Sequence, residues 1–214
     1  MKVGIVDYGV GNLGSIARAL ENLHVKPILI NKAKDTQNVD RLILPGVGNF
    51  SDCALRLHQE GWSDAINEEV RCNSKPLLGI CLGMQLLATN STEGSIDVNN
   101  KPSNGLNLIS GHVVHLKNLG CEFRIPHVGW NSIYIHLNST AMFDGIPQET
   151  DYYFVHSYSF IPDDPTHISA TTNYGSQLTA AVRYKHIWGT QFHPEKSSGA
   201  GLQLLKNFID NPTC

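Results

Sequence analysis

The chain has 214 residues, 41% apolar and 16% charged, with a formal net charge of -3 and a pI near 6.3. That length supports one large core. The acidic balance argues against a nucleic-acid or anionic-membrane partner, and no apolar run approaches the ~20 residues of a membrane span. The N-terminus enters "MKVGIVDYG" without a signal segment, so the cytoplasm is the expected compartment. Five cysteines (Cys53, Cys72, Cys81, Cys121, Cys214) form an odd set without a CxxC pair. That pattern fits neither a disulfide framework nor a zinc site, and no metal or cofactor is expected.

In chain order, "KVGIVD" reads as a strand, and "NLGSIARALENL" carries Leu13, Ile16, Ala17, Leu20 and Leu23 at helical spacing. "KPILIN" and "DRLILP" read as buried strands, "CALRLHQEGW" as a helix, "KPLLGI" as a further buried strand and "LGMQLLAT" as the helix after it. Alternating strands and helices predict right-handed crossovers and a mainly parallel sheet flanked by helices, of flavodoxin-like type. The second half changes character. "GHVVHL", "SIYIHL", "YYFVHSY", "HISATTN", "LTAAVRY" and "IWGTQF" are short strand-like runs without long helices between them, which predicts additional antiparallel strands. "AGLQLLKNFI" closes the chain as a helix, and "TEGSIDVNNKPSNG" reads as a flexible polar insertion. No composition shift divides the chain, so the fold class is a single α/β domain over residues 1–214.

Gly9, Gly11 and Gly14 spell G-x-G-x-x-G between the first strand and helix, the context of a dinucleotide-binding turn. Asp7 and Tyr8 intervene, placing a carboxylate where a pyrophosphate would sit. The second strand ends in Asn31 and Lys32 instead of the acid that binds ribose. The glycines therefore read as a turn that needs a flexible backbone.

"PLLGICLGMQLL" is the most informative stretch. A buried strand runs into Gly79-Ile80-Cys81-Leu82-Gly83 and leaves as a helix, the pattern of a nucleophile elbow. Small residues permit the strained turn, the helix N-terminus favours an anion there, and the Leu82 N–H becomes available to an oxyanion. On its own the pentapeptide also fits a buried cysteine among packing glycines. "GTQFHPEKS" supplies the missing base: His193 follows a strand, and Glu195, two residues on, projects to the same side in an extended segment. A histidine takes the thiol proton and returns it to a leaving group, and a carboxylate behind it fixes the tautomer.

With "GICLGMQLL" and "QFHPEKS" in place, the sequence resembles the class I (triad) glutamine amidotransferases. Together with "DYGVGNL", "LILPGVGNF", "PHVGWN" and "YYFVHSY", in that order over almost the whole chain, it is most similar to the glutaminase subunits of the histidine-pathway synthases. The resemblance implies a type 1 glutamine amidotransferase domain that hydrolyses L-glutamine to glutamate and ammonia. The ammonia would pass to a (β/α)8-barrel cyclase in a heterodimer.

Residue by residue, the resemblance implies a Cys81–His193–Glu195 triad and an oxyanion hole from the N–H groups of Val47 and Leu82. Gly48 would let substrate approach the backbone, Gln85 and Glu93 would hold the glutamine amino group and backbone, and His156, Ser157 and Tyr158 would meet its carboxylate. Asn12, Trp130 (read as lying on a loop) and Lys196 are the implied partner contacts. Taken alone, Gln85 fits an exposed helical residue equally well, and Glu93 a solvated loop acid. The polar insertion and the lead-in "CEFRIPHVGWN" depart from the expected pattern. The core motifs do not separate the histidine pathway from relatives that feed ammonia to a sugar-modifying amidotransferase in surface-polysaccharide synthesis. A Cys-His-acid esterase and a non-catalytic binding subunit also stay open at the level of sequence.

Overall fold

The first apolar run forms strand β1 (Val3–Val6), buried along its whole length. The amphipathic segment after it forms α1 (Leu13–Asn22), which buries Ile16, Ala19 and Leu20. The structure, a computed structural model, describes residues 1–94, 102–136 and 141–211. Residues 95–101 of the expected flexible insertion, and Cys214, lie outside the described residues.

Between β1 and α1 the glycine-rich segment is a turn, with Gly9 at φ 82° and Gly11 at φ 126°. The Gly9 N–H donates to the Asp7 carboxylate at 3.1 Å, so that carboxylate serves the turn itself. β2 (Ile28–Ile30) corrects the sequence reading of a buried strand: Ile28 and Leu29 are exposed and only Ile30 is buried. The reason is position, because β2 ends the sheet. β3 (Arg41–Gly46) is buried throughout and leads into α2 (Phe50–Gln59), capped by the Asn49 side chain. The predicted helix "CALRLHQEGW" is cut at Gly61, at φ 74°, where α3 (Trp62–Asn67) begins, and a π-helical turn, Glu68–Cys72, continues it. β4 (Leu77–Cys81) is fully buried, and α4 (Leu82–Gln85) is only one turn long where a longer helix was expected.

The remaining strands are β5 (Asn90–Ser91), β6 (Ser103–Asn104), β7 (Gly111–His115), β8 (His127–Ile135), β9 (Asp151–His156), β10 (Tyr158–Pro162), β11 (Ile168–Asn173), β12 (Gln177–Tyr184) and β13 (Ile187–Thr190); α5 (Ser198–Asp210) closes the order. Nine strands form one sheet, in the order β2-β1-β3-β4-β13-β12-β11-β8-β9. β2 through β13 pair in parallel, and from β13 to β9 every pairing is antiparallel. The antiparallel strands of the second half thus extend the parallel sheet, apart from a small second sheet, β10-β7-β5-β6. "PHVGWN", expected as a loop, lies at the start of β8 and pairs with β9.

Two cores cover the faces of the large sheet. One gathers Phe50, Leu57, Trp62, Ile66 and Met84 beneath α2 and α3. The other gathers Ile16, Leu20, Trp188, Phe192, Leu205 and Phe208 beneath α1 and α5. No helix among the described residues is long and apolar enough to cross a membrane. No group of three or more His, Cys, Asp or Glu among them is arranged to hold a metal ion.

Candidate active site

The site forms where β3, β4 and β13 end. In parallel register, Gly46 lies opposite Cys81 and Thr190 opposite Ile80, so three chain segments leave the sheet side by side. Cys81 takes φ 56° and ψ -112°, a conformation that costs a non-glycine residue on the order of 1–3 kcal/mol. Its neighbours leave no alternative packing. A Cβ on Gly83 would overlap the Leu44 carbonyl oxygen, and one on Gly79 would sit 2.6 Å from the Gly83 oxygen. The glycines of "GICLG" are thus required by the close approach of α4 to β3 and β4. The Cys81 thiol donates to the Val155 carbonyl at 3.8 Å.

Beyond β13 the chain brings in His193. Its backbone N–H donates to the Tyr153 carbonyl at 2.9 Å, and its carbonyl accepts from Ser197 Oγ at 2.6 Å. His193 Nδ1 lies 2.8 Å from Glu195 Oε1, with the two side chains 3% and 0% exposed. The sequence reading had Glu195 reach the ring along an extended segment. The contact is present, but residues 194–196 form a 3-10 turn that folds the carboxylate back. Burial works against the imidazolium; the adjacent Cys81 sulfur and the Glu195 carboxylate together outweigh it and carry the His193 pKa up to about 9. His193 Nε2 is buried beside the sulfur but outside hydrogen-bond geometry with any described group. That nitrogen is the one left to exchange a proton with the nucleophile.

A cavity of about 350 Å³ opens over these groups. Its wall includes Val47, Gly48, Cys81, Leu82, Gln85, Glu93, His156, Ser157, Tyr158 and His193. All the sequence-predicted oxyanion and substrate positions therefore converge on one space, with Glu195 behind His193. Val47 is 40% exposed, and Gly48, at φ 96°, faces open space.

Gln85 is buried, which excludes the exposed helical role. Its Nε2 donates to the Tyr158 carbonyl at 3.0 Å and to Gln191 Oε1 at 2.8 Å. With both amide hydrogens spent, only its oxygen can serve an ammonium group. Glu93 is anchored, with Oε2 accepting from the Phe50 N–H at 3.1 Å, and burial raises its carboxyl pKa. His156 differs from its expected role in one respect: both ring nitrogens are occupied within the protein. Nδ1 donates to the Tyr158 carbonyl at 2.8 Å, so Nε2 accepts from His127 Nδ1 at 3.0 Å. Burial lowers the pKa of His156 to about 3 and of His127 to about 4, so both rings are neutral. Ser157 and Tyr158 line the same cavity beside His156.

Two of the three implied partner contacts, Trp130 and Lys196, meet at one ring. Trp130 is 54% exposed on β8 and meets Tyr153 edge-on at 6.1 Å. Lys196 Nζ lies 5.8 Å from the same ring. Asn12 stands at the N-terminus of α1 without making a side-chain cap. Two buried residues went unnoticed in the sequence, His127 and Gln191. Gln191 had a usable signal, since it sits two residues before His193 and so on the same side of an extended run.

Fold and site together define a class: an α/β protein with a cysteine on a strand–helix elbow and a His–carboxylate pair delivered beside it. The chain belongs to the class I glutamine amidotransferases, whose family, described as Glutamine amidotransferase class-I, matches residues 4–211. Within that class it is 46% identical to the imidazole glycerol phosphate synthase subunit HisH 1 of Prochlorococcus marinus (strain MIT 9313), over 98% of this chain and 97% of the relative. It is 40% identical to the HisH subunit of Pelagibacter ubique (strain HTCC1062), over 98% of this chain and 100% of that one. Among solved structures, a glutamine amidotransferase at 18% identity superposes with a TM-score of 0.72 over 98% of this chain and 100% of that chain. PurLQS from Thermotoga maritima, at 17% identity, gives 0.74 over 97% of each chain, and both show the shared fold.

Proposed function

We propose that this chain is the glutaminase subunit of an imidazole glycerol phosphate synthase. It hydrolyses L-glutamine and delivers ammonia, in the cytoplasm, to a (β/α)8-barrel cyclase partner that makes imidazole glycerol phosphate and 5-aminoimidazole-4-carboxamide ribonucleotide. The observation that carries this reading is the shared cavity. Cys81 and His193 line it, Glu195 holds His193 from behind, and the segments bearing the Val47 and Leu82 N–H groups form its wall. The HisH relatives at 40–46% identity support the histidine pathway over the sugar-amidating one.

Chemically, His193 Nε2 removes the Cys81 proton and the sulfur adds to the side-chain amide carbon of glutamine. The N–H groups of Val47 and Leu82 hold the resulting oxyanion. His193 returns the proton to the leaving nitrogen, so ammonia departs and a thioester remains. Water, deprotonated by His193, then adds to the thioester carbon and expels the sulfur with glutamate. Glu195 keeps the ring in the tautomer that presents Nε2 to the sulfur.

The test is glutamate release by the chain together with its barrel partner. Cys81→Ser should lower turnover by about 10³-fold or more, because a hydroxyl is far less nucleophilic than a thiolate, while the melting midpoint stays unchanged. Near-normal glutamine hydrolysis by Cys81→Ser would remove the elbow from the mechanism. Stimulation by a sugar-modifying partner in place of the barrel would assign the other pathway.

A further inference from the structure

Running from the cavity wall into the core are two buried amides, Gln85 and Gln191, for which the triad has no use. Gln191 is 0% exposed and Gln85 4%. The Gln191 backbone N–H is fixed to the Ala180 carbonyl at 2.8 Å, which holds the residue at the end of β13. Its Oε1 accepts from Gln85 Nε2 at 2.8 Å, and its own Nε2 lies 3.9 Å from the Cys81 sulfur. Gln85 Nε2 also donates to the Tyr158 carbonyl at 3.0 Å.

Each amide has one acceptor end and one donor end, so the orientation of either sets the other. The Tyr158 carbonyl can only accept, which turns the Gln85 NH2 inward. That NH2 requires the Gln191 oxygen, and the Gln191 NH2 is then directed at the sulfur.

We infer that Gln191 donates to the sulfur of Cys81, and that Gln85 sets this donor's direction from the substrate end of the cavity. This rests on the glutaminase reading for its catalytic consequence, though not for its effect on the sulfur. A donor on an anion is stabilising, and more so where water is excluded. Through Tyr158 O, Gln85 and Gln191, the residues expected to meet the glutamine head group share one directional line of hydrogen bonds with the nucleophile. The line is made entirely of the protein's own groups.

The inference separates two roles that a substrate-contact view of Gln85 would merge. Gln85→Glu keeps the side chain's shape but offers only acceptors. The Gln191 amide must then turn its NH2 towards residue 85 and present its oxygen to the sulfur. In Gln191→Glu the acceptor for Gln85 is kept and a carboxylate faces the sulfur. Gln191→Met removes the donor at nearly constant length without burying a charge.

The experiment measures alkylation of Cys81 by iodoacetamide in the free protein at neutral pH, without glutamine, quantified on the Cys81 peptide by mass spectrometry. Glutamate release with the barrel partner is measured beside it, and circular dichroism checks the fold of each variant. Gln191→Met and Gln85→Glu should each slow alkylation about 10-fold, and Gln191→Glu by more, in the range set by loss of a hydrogen bond to an ion. In Gln191→Met kcat should fall in parallel with KM within about threefold of wild type, whereas Gln85→Glu should alter both. If Gln191→Glu does not fold, Gln191→Met and Gln85→Glu decide the matter. Wild-type alkylation in Gln85→Glu together with Gln191→Met would overturn the inference. A wild-type protein that alkylates normally but releases no glutamate with the barrel partner would overturn the glutaminase reading and leave the sulfur measurements to judge the amide line.

Discussion

Replacing Glu195 with glutamine tests how the site holds its proton. The carboxylate sits 2.8 Å from His193 Nδ1 with neither side chain appreciably exposed. Burial alone would depress the His193 pKa, and the Cys81 sulfur and Glu195 together carry it to about 9. Glu195→Gln keeps the volume, removes one of the two opposing charges, and buries an amide end where Oε2 has no partner among the described residues. A hydrogen bond to a charged group is worth roughly 1.5–3 kcal/mol, so kcat/KM should fall about 10- to 100-fold. The sign of the pH effect follows from the direction of the shift. The imidazolium formed when Cys81 hands over its proton persists until the pH climbs through about 9, and the leaving nitrogen needs that proton, so the wild type should lose activity there. In Glu195→Gln that alkaline limb should move down by a pH unit or more. The assay is glutamate release with the partner between pH 6 and 10. An alkaline limb that stays near pH 9, with a rate within threefold of wild type, would refute the assignment of Glu195 as the group that holds the imidazolium.

Gly83→Ala should destabilise the protein by about 3 kcal/mol or more, since the new Cβ would overlap the Leu44 carbonyl, which is backbone and cannot turn aside. A melting midpoint within 2 °C of wild type would contradict the packing argument. Acid should weaken the fold: His127 and His156 stay neutral down to about pH 4 and 3 in the folded chain, while the unfolded chain takes up protons near pH 6.5. The loss accumulates between about pH 6.5 and 4 and amounts to about 3 kcal/mol for His127 alone, read as melting midpoint against pH; His127→Gln should flatten that slope. The isolated chain should be nearly idle and rise about 10²-fold on docking to its partner, the size of completing one oxyanion donor at Val47. Trp130→Ala should weaken that stimulation without changing Cys81 alkylation, and full activity in the isolated chain would sink this expectation.

Much of this site was legible because its chemistry is local in sequence. The elbow writes itself as glycines at fixed offsets from Cys81, each set by an approach too close for a Cβ. His193 and Glu195 lie within one turn of each other. The parallel half was equally readable, since β4 is an unbroken apolar run and β3 is one after Arg41. The errors fall where neighbours decide. Nothing in "KPILIN" says that its strand ends the sheet and leaves Leu29 53% exposed. Nothing in "LGMQLLAT" says that α4 stops after Gln85; the carbonyls from Leu86 to Thr89 instead accept from the N–H groups of Gly105, Leu106, Asn107, Leu108 and Ile109.

The buried polar groups were hidden for a related reason. Gln191 and His127 show their function only through partners far along the chain: Gln85 is 106 residues from Gln191, and His156 is 29 from His127. A polar residue on an apolar strand announces only that some partner must exist. What identifies the partner is sheet register, and register is the property that a single sequence specifies least. Once β8 pairs with β9, His127 lies opposite His156 and Trp130 opposite Tyr153. The same β9 backbone accepts from Cys81 at Val155 and from His193 at Tyr153. "PHVGWN", opaque as a loop, becomes intelligible as a strand with His127 on one face, bonded to His156, and an exposed tryptophan on the other. The nucleophile and its base are then spaced by a third strand that belongs to neither of their motifs. The triad motifs therefore supply the reacting groups, and the antiparallel extension of the sheet supplies the frame that holds them apart.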